Sequence, residues 1–395
     1  MSVEELDARY IINTYGRTKE RTLFLERGEG AYVWDDQGKR YLDLVGGLAV
    51  NLLGHCHPAV VEAVCNQARE LIHVSNLYYT RPQAELARVL VENSAGERAF
   101  FANSGAEANE AALKLARKYH HPGRYKVITA VNSFHGRTLA TVTATGQEKY
   151  HQGFEPLPAG FSYGRFNDLA SFEELVDGET AAIMIEPVQG EGGIYVAEEA
   201  FIRGLRELCD REGLLLIFDE VQCGLGRTGK LWAYEHWGVK PDLLTTAKGL
   251  GGGMPIGVLL AGSKVAETFQ PGNHASTFGG NPVACRAALA VLEIILQENF
   301  LDEVQEKSAL FMNGLEKLAS SFSGRVKETR GLGMMAALEL AVPLAVPAQR
   351  GCQEKGLLVN AIGERILRFL PPLNVTGEEL EQALAILEEV LAGLL

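Results

Sequence analysis

No two cysteines of this chain are spaced as a CxxC pair, no apolar run reaches the length of a membrane span, and no block of lysine and arginine occurs. The six cysteines, at positions 56, 65, 209, 223, 285 and 352, are scattered. That pattern points to free thiols in a reducing compartment, not to a disulfide framework. A bilayer-crossing helix needs about 20 consecutive apolar residues, so no membrane-spanning role is expected. The net charge is −13, which argues against binding nucleic acid or an anionic membrane. An anionic substrate must then be captured by a few local arginines. The start, Met1-Ser2-Val3-Glu4-Glu5, has neither a basic nor an apolar stretch. No signal peptide and a cytoplasmic location are expected.

What the chain does have is 395 residues, 47% of them hydrophobic. This is enough for one large core and a smaller second one. Its 43 glycines often flank apolar runs, which suggests tight turns at the ends of buried strands. Residues Gly28–Asp43 read as a hairpin turning at Asp36-Gln37-Gly38. Helical spacing follows at about 60–73 and 83–94. From about 99 to 262, short apolar runs alternate with helical segments. The runs are Ala99–Phe101, Lys126–Val131, Ala181–Ile185, Leu214–Phe218, Leu243–Thr246 and Ile256–Leu260. Helices fit at Ala106–Tyr119 and Glu198–Arg211. Such alternation predicts an α/β fold with a mostly parallel sheet covered by helices, whose chemistry gathers at the carboxyl ends of its strands. The last third reads as a smaller α+β domain, with helices near 281–300, 301–320 and 378–395. Its strands fall near Met334–Leu340, Leu357–Val359 and Arg365–Phe369, and Pro343–Pro347 reads as a turn-rich connection. The expected division is an N-terminal segment, 1–58, packing with the small domain; a large domain, 59–280; and the small domain, 281–395.

Several strand ends carry chemistry. Lys248 follows an apolar strand and opens the run Gly249-Leu250-Gly251-Gly252-Gly253. Burial lowers a lysine's pKa and frees its amine to form an imine; a solvated loop lysine is the plainer alternative. Asp219 ends another apolar strand, where a carboxylate needs a partner. A protonated pyridine nitrogen would serve, and so would an ordinary salt bridge. Ser104 and Glu107 form a capping-box pattern at the start of a helix. The same helix start, with Gly105 leaving room, suits a phosphate. Phe134 could stack on a flat ring, and Arg137 could clamp a carboxylate, although each is also compatible with ordinary packing. Glu186 and Glu191 follow a further strand. Arg368, flanked by apolar residues, needs an anion, which Glu191 or a substrate carboxylate could supply.

Three features mimic other sites. Gly224–Lys230 matches a phosphate-binding loop until Leu231, where Ser or Thr should stand. Gly331–Ala336 fits a loose dinucleotide fingerprint but precedes a strand instead of a helix. His55-Cys56-His57 has the right atoms for a metal, but adjacent residues of a turn rarely converge on one ion, and no metal site is expected.

Together, Ser104–Asn109, Phe134-His135-Gly136-Arg137, Asp219-Glu220-Val221-Gln222, Lys248-Gly249 and Thr277-Phe278-Gly279-Gly280-Asn281-Pro282 resemble the class III aminotransferases of fold type I. The resemblance runs from about Tyr15 to the C-terminus. It implies pyridoxal 5′-phosphate as cofactor, joined to Lys248. Asp219 would pair with the pyridine nitrogen, Gln222 with the ring hydroxyl, and Val221 with Phe134 would sandwich the ring. Ser104, Gly105 and Ala106 would hold the phosphate, together with Thr277 from the partner subunit of a homodimer.

Stretches such as Thr14–Arg17, Gly46–Asn51 and Gly54–Pro58 are most similar to the acetylornithine type. The ornithine type carries an aromatic residue near Leu48; its absence suits a donor whose α-amine is acylated. The resemblance implies that Arg137, with Ser276 nearby, holds the carboxylate of N-acetylornithine. Arg368 would hold that of 2-oxoglutarate or glutamate, and Glu191 would pair with Arg368 while the donor is bound. Tyr15 would stand near the substrate. The segment Gly16–Glu26 is longer and more charged than is usual in the family, and bears on substrate breadth. Other ω-amino donors (ornithine, 4-aminobutyrate, succinyl-diaminopimelate, carrier-linked lysine) stay open, as does an aminomutase of the same fold.

Overall fold

The computed structural model describes residues 1–17 and 22–394; most of the charged part of segment 16–26 therefore lies outside the described residues. At the centre is a seven-stranded sheet in the order Arg98–Ala102, Gly257–Ala261, Leu243–Thr246, Leu215–Asp219, Thr180–Ile185, Lys126–Ala130, Phe161–Gly164. Neighbouring strands are parallel, except that Gly257–Ala261 runs against both of its neighbours. Every residue of the four central strands is buried. This is why they appear in the sequence as unbroken apolar runs without alternation. Each fully buried Leu, Ile or Phe contributes about 1.5–3 kcal/mol relative to exposure, and Ile217, Phe218 and Ile185 are all fully buried.

Helices Gly105–Tyr119 and Glu199–Glu212 pack on this sheet. The first buries Ala108, Ala112 and Leu115 as expected, while Tyr119 is only half-buried. The Phe161–Gly164 strand was not expected: it lies at the sheet edge and is only partly buried, so its residues form no apolar run.

A second, antiparallel sheet combines Val326–Leu332, Met335–Leu340, Ile366–Phe369 and Asn360–Ile362. Helices Phe300–Ser321 and Gly377–Leu394 pack against each other beside it. A third sheet joins the ends of the chain. The hairpin strands Tyr32–Asp35 and Arg40–Asp43 extend through Leu25–Glu29 on one side, and Leu357–Leu358 pairs in parallel with Arg40–Asp43 on the other. The Pro343–Pro347 stretch is not merely a connection. A helix, Ala345–Glu354, begins within it; Pro347 is tolerated because its missing N–H falls in the first turn.

The two glycine-rich stretches that imitate nucleotide motifs meet each other instead. Met334 N donates to Arg227 O at 2.8 Å. Gly333, at φ +62°, lies so close to the backbone of Thr228 that a Cβ would overlap it. Glycine is needed there for close approach, with no nucleotide involved.

Candidate active site

Five strands of the central sheet deliver their carboxyl ends to one cavity of about 410 Å³, lined by Ser104, Gly105, Ala106, Phe134, Arg137, Glu186, Glu191, Asp219, Val221, Gln222 and Lys248, among others. Lys248 follows the Leu243–Thr246 strand and adopts φ +31°, a conformation that costs a side chain about 1–3 kcal/mol and is typical of functional positions. Burial pushes its amine below the usual lysine range, against the pull of Glu191.

Asp219 is 3% exposed, yet its carboxylate is well partnered. Oδ2 accepts from Asn109 Nδ2 at 2.7 Å and lies 2.7 Å from His135 Nδ1, while Oδ1 accepts from Val221 N at 3.0 Å. Asn109 is itself fixed, accepting from Thr245 Oγ1 at 2.6 Å and donating to His135 O at 2.8 Å. Sequence reasoning did not single out Asn109 or His135. The available signal was a polar residue on the buried face of an amphipathic helix, since buried amides are almost always bonded.

Ser104 caps the Gly105–Tyr119 helix, its Oγ accepting from Glu107 N at 3.2 Å. The capping box is only half formed: Glu107 Oε2 accepts from Asn103 N, not from Ser104 N. The first turn of the helix begins with Gly105 and Ala106, which line the cavity, and an α-helix leaves its first N–H groups without intrahelical partners. A Cβ at Gly105 would stand 2.7 Å from Val221 Cγ1, so the close approach of that turn to Val221 requires glycine.

Arg137 lies with its guanidinium 3.9 Å from the Tyr150 ring centre and 5.3 Å from that of Phe134. Phe134 meets Tyr150 edge-on at 5.8 Å. From the strand Ile366–Phe369 of the antiparallel sheet, Arg368 is 1% exposed. Its Nη1 donates to Glu191 Oε1 at 2.8 Å and Gly190 O at 3.0 Å, and its Nη2 donates to Asn360 Oδ1 at 2.7 Å. Gln222 Nε2 donates to the same Glu191 oxygen at 3.1 Å, leaving Gln222 Oε1 buried and without a partner. Burial raises the Glu191 carboxyl, but the charges of Arg368 and Lys248 and the hydrogen bonds from Arg368 and Gln222 together hold the group below its usual range.

Some expected residues stand apart. Ser276 lies just outside the lining, accepting from Asn103 Nδ2 at 3.1 Å. Thr277 is exposed and Tyr15 is 78% exposed, and neither borders the cavity of its own chain. His55 Nε2 lies 2.8 Å from Asp43 Oδ2, and among the described residues no group of three His, Cys, Asp or Glu is arranged to hold a metal.

The sequence profile of the family "Aminotransferase class-III" matches residues 14–391. The chain belongs to the class-III aminotransferases. This aminotransferase is 53% identical over 390 residues to the acetylornithine aminotransferase of Caldanaerobacter subterraneus subsp. tengcongensis, covering 98% of each chain. Among solved structures, it is similar to the ornithine aminotransferase of Toxoplasma gondii, with TM-score 0.94 and 33% identity over 100% of this chain and 96% of that one. The N-acetylornithine aminotransferase of Stenotrophomonas maltophilia aligns with TM-score 0.84 and 38% identity over 99% and 98%. The fold is therefore fold type I, and the cofactor is pyridoxal 5′-phosphate. The residues present fit it: the cavity holds an amine of lowered pKa, a buried carboxylate, a helix N-terminus and an unpartnered buried acceptor on Gln222.

Proposed function

We propose that this aminotransferase moves the δ-amino group of N2-acetyl-L-ornithine to 2-oxoglutarate, giving N-acetyl-L-glutamate 5-semialdehyde and L-glutamate, as a step of arginine biosynthesis in the cytoplasm. When bound, pyridoxal 5′-phosphate supplies an electron sink for the carbon that carries the amine. Lys248 would hold it through the side-chain amine, and the free amine would take the proton from the δ-carbon of the donor. Asp219, braced by Asn109 and His135, would meet the pyridine nitrogen. Phe134 and Val221 would enclose the ring, Gln222 would meet its hydroxyl, and Ser104, Gly105 and Ala106 would take the phosphate at the helix N-terminus.

The observation that carries the reading is the Arg368–Glu191 pair at 2.8 Å. A neutralised arginine suits a donor with one carboxylate, held by Arg137 with Ser276 nearby. The same arginine, released from Glu191, suits the second carboxylate of 2-oxoglutarate. The 53% identity to an acetylornithine aminotransferase and the aliphatic Leu48 support an acylated donor. Ornithine is the second reading, favoured by the TM-score of 0.94 with the Toxoplasma gondii enzyme.

Two copies pair, on this proposal, and the partner's Thr277 completes the phosphate site. Exposed Leu77, Tyr78 and Tyr79 on one segment and Phe278 on another form an apolar surface, which a second copy would cover. Asn76 joins the two segments by donating to Ser276 O and Gly279 O. The six cysteines are free, and no described helix is long and apolar enough to cross a membrane; both features suit the cytoplasm. Tyr15 is proposed to face the substrate entrance once the dimer forms.

The test is glutamate formation from 2-oxoglutarate with N-acetylornithine, ornithine, 4-aminobutyrate and succinyl-diaminopimelate in turn. The highest kcat/KM is expected for N-acetylornithine. A higher value for another donor would overturn the substrate assignment, and turnover without any acceptor would indicate a mutase.

A further inference from the structure

Glu186 has no part in the roles assigned above, yet its placement is demanding. It follows the last residue of the Thr180–Ile185 strand, borders the cavity and is 5% exposed. Its two oxygens serve two different loops. Oε2 accepts from Phe134 N at 2.9 Å, and Oε1 accepts from Gly190 N at 3.1 Å. The first loop carries Phe134 and Arg137; the second carries Glu191. The second loop is also tied from the antiparallel sheet, where Arg368 Nη1 donates to Gly190 O at 3.0 Å and Arg330 Nε donates to Gly193 O at 2.8 Å. Two converging N–H donors require a group that only accepts. An ionised carboxylate meets that need, whereas an amide offers one acceptor and one donor.

We infer that Glu186 is a positioning residue: it clips the Phe134–Arg137 loop to the Glu191 loop, and so fixes the distance between the two carboxylate-reading groups, Arg137 and the Arg368–Glu191 pair. The inference rests on the reading of Arg137 and Arg368 given under the proposed function. With the clip closed, Glu191 can turn away from Arg368 while the backbone that bears it stays in place.

The clip is also sensitive to pH. The titratable groups that face Glu186 are His135, Asp219, Lys248 and the Cys223 thiol. Burial, which outweighs the favourable charge of His135, pushes the Glu186 carboxyl up to about 7. Protonation makes one oxygen a donor and leaves the other a neutral, weaker acceptor, so both N–H bonds weaken together and the clip closes as pH rises through about 7. The fold, by contrast, loses stability as pH rises from the ordinary carboxylate range to about 7, because the ionised buried form is disfavoured in the folded state, and shows no further loss from this group above that.

The first test is amide hydrogen exchange of the wild-type holoenzyme between pH 6 and 8.5, corrected for intrinsic rates. The expected result is that the segments containing Phe134 and Gly190 lose protection together, by about tenfold, as pH falls from 8 to 6; this is roughly the worth of one charge-assisted hydrogen bond. Unchanged protection, or loss in one segment only, overturns the inference.

The second test uses Glu186→Gln, similar in volume, and Glu186→Asp, which keeps the charge with a shorter reach. In Glu186→Gln, which keeps one acceptor, the segment whose N–H meets the amide nitrogen has low protection at every pH, and neither segment responds to pH near 7. KM rises about tenfold for both substrates with a smaller change in kcat, and the acidic limb of the pH profile near 7 disappears. Glu186→Asp keeps one segment protected and frees the other. A Gln variant with wild-type exchange and pH profile overturns the inference. If a variant fails to fold, the wild-type pH series decides alone. Because exchange does not depend on which donor is used, the clip can stand while the assignment of N-acetylornithine fails, or the reverse.

Discussion

Replacing Glu191 with Gln separates the two uses of Arg368. The guanidinium is 1% exposed, so losing its counter-charge leaves a buried cation neutralised only by dipoles. Breaking a buried pair in this way costs about 3–5 kcal/mol. Arg368 keeps its bonds to Gly190 O and Asn360 Oδ1, and the Glu191 side chain is 24% exposed, so the lower end applies, about 3 kcal/mol. With an unfolding entropy of about 2.1 cal/mol/K per residue over 395 residues, that is a fall of about 4 °C in Tm.

The same 3 kcal/mol no longer opposes a second carboxylate. The Kd for 2-oxoglutarate should therefore fall by at least tenfold and at most about 150-fold, while N-acetylornithine gains nothing. Glu191 is held below its usual range by Arg368. Its contribution is thus complete above the unfolded value and is lost only as pH falls through the lowered one. The variant and wild type should accordingly differ throughout the neutral range and converge in acid. Calorimetric melting and titration with 2-oxoglutarate measure both effects. A variant with unchanged Tm and unchanged affinity would refute the idea that the pair is a releasable lock.

Lys248→Ala should fold and bind the cofactor weakly but show no turnover with any donor; measurable turnover would remove the lysine from the chemistry. Asn109→Ala strips one bond from Asp219 and leaves Thr245 Oγ1 without its acceptor. A loss of about 1–3 kcal/mol in stability is expected from denaturant melts, with a lower kcat. Gly105→Ala places a methyl 2.7 Å from Val221 Cγ1 and should raise the Kd for the cofactor at least tenfold in equilibrium dialysis. Arg137→Ala should raise KM for the amino donor much more than for 2-oxoglutarate.

The interior of the central sheet was legible because its strands are buried and leave apolar runs such as Leu215–Phe218, which ends at Asp219, and Ala181–Ile185, which ends at Glu186. Among the edge strands, Arg98–Ala102 was legible from its run Ala99–Phe101, whereas Phe161–Gly164 and Val326–Leu332 were not. Val326–Leu332 reads Val-Lys-Glu-Thr-Arg-Gly-Leu and is mostly exposed or half-buried, so neither an apolar run nor clean alternation marks it. At the site, the residues that follow strand ends could be read one by one. Asn109 and His135 could not, because their role exists only where a helix, a loop and the end of the Asp219 strand meet. The positive φ of Lys248 is likewise a product of the turn that tertiary packing imposes.

The measurement that most directly tests the account is the single half-reaction. N-acetylornithine is added to the purified holoenzyme without an acceptor, and the visible absorption band of the bound cofactor is followed. The account predicts that the band is lost at lower concentrations of N-acetylornithine than of ornithine or 4-aminobutyrate, and that 2-oxoglutarate restores it. A band that N-acetylornithine leaves unchanged, or that 2-oxoglutarate fails to restore, would contradict it.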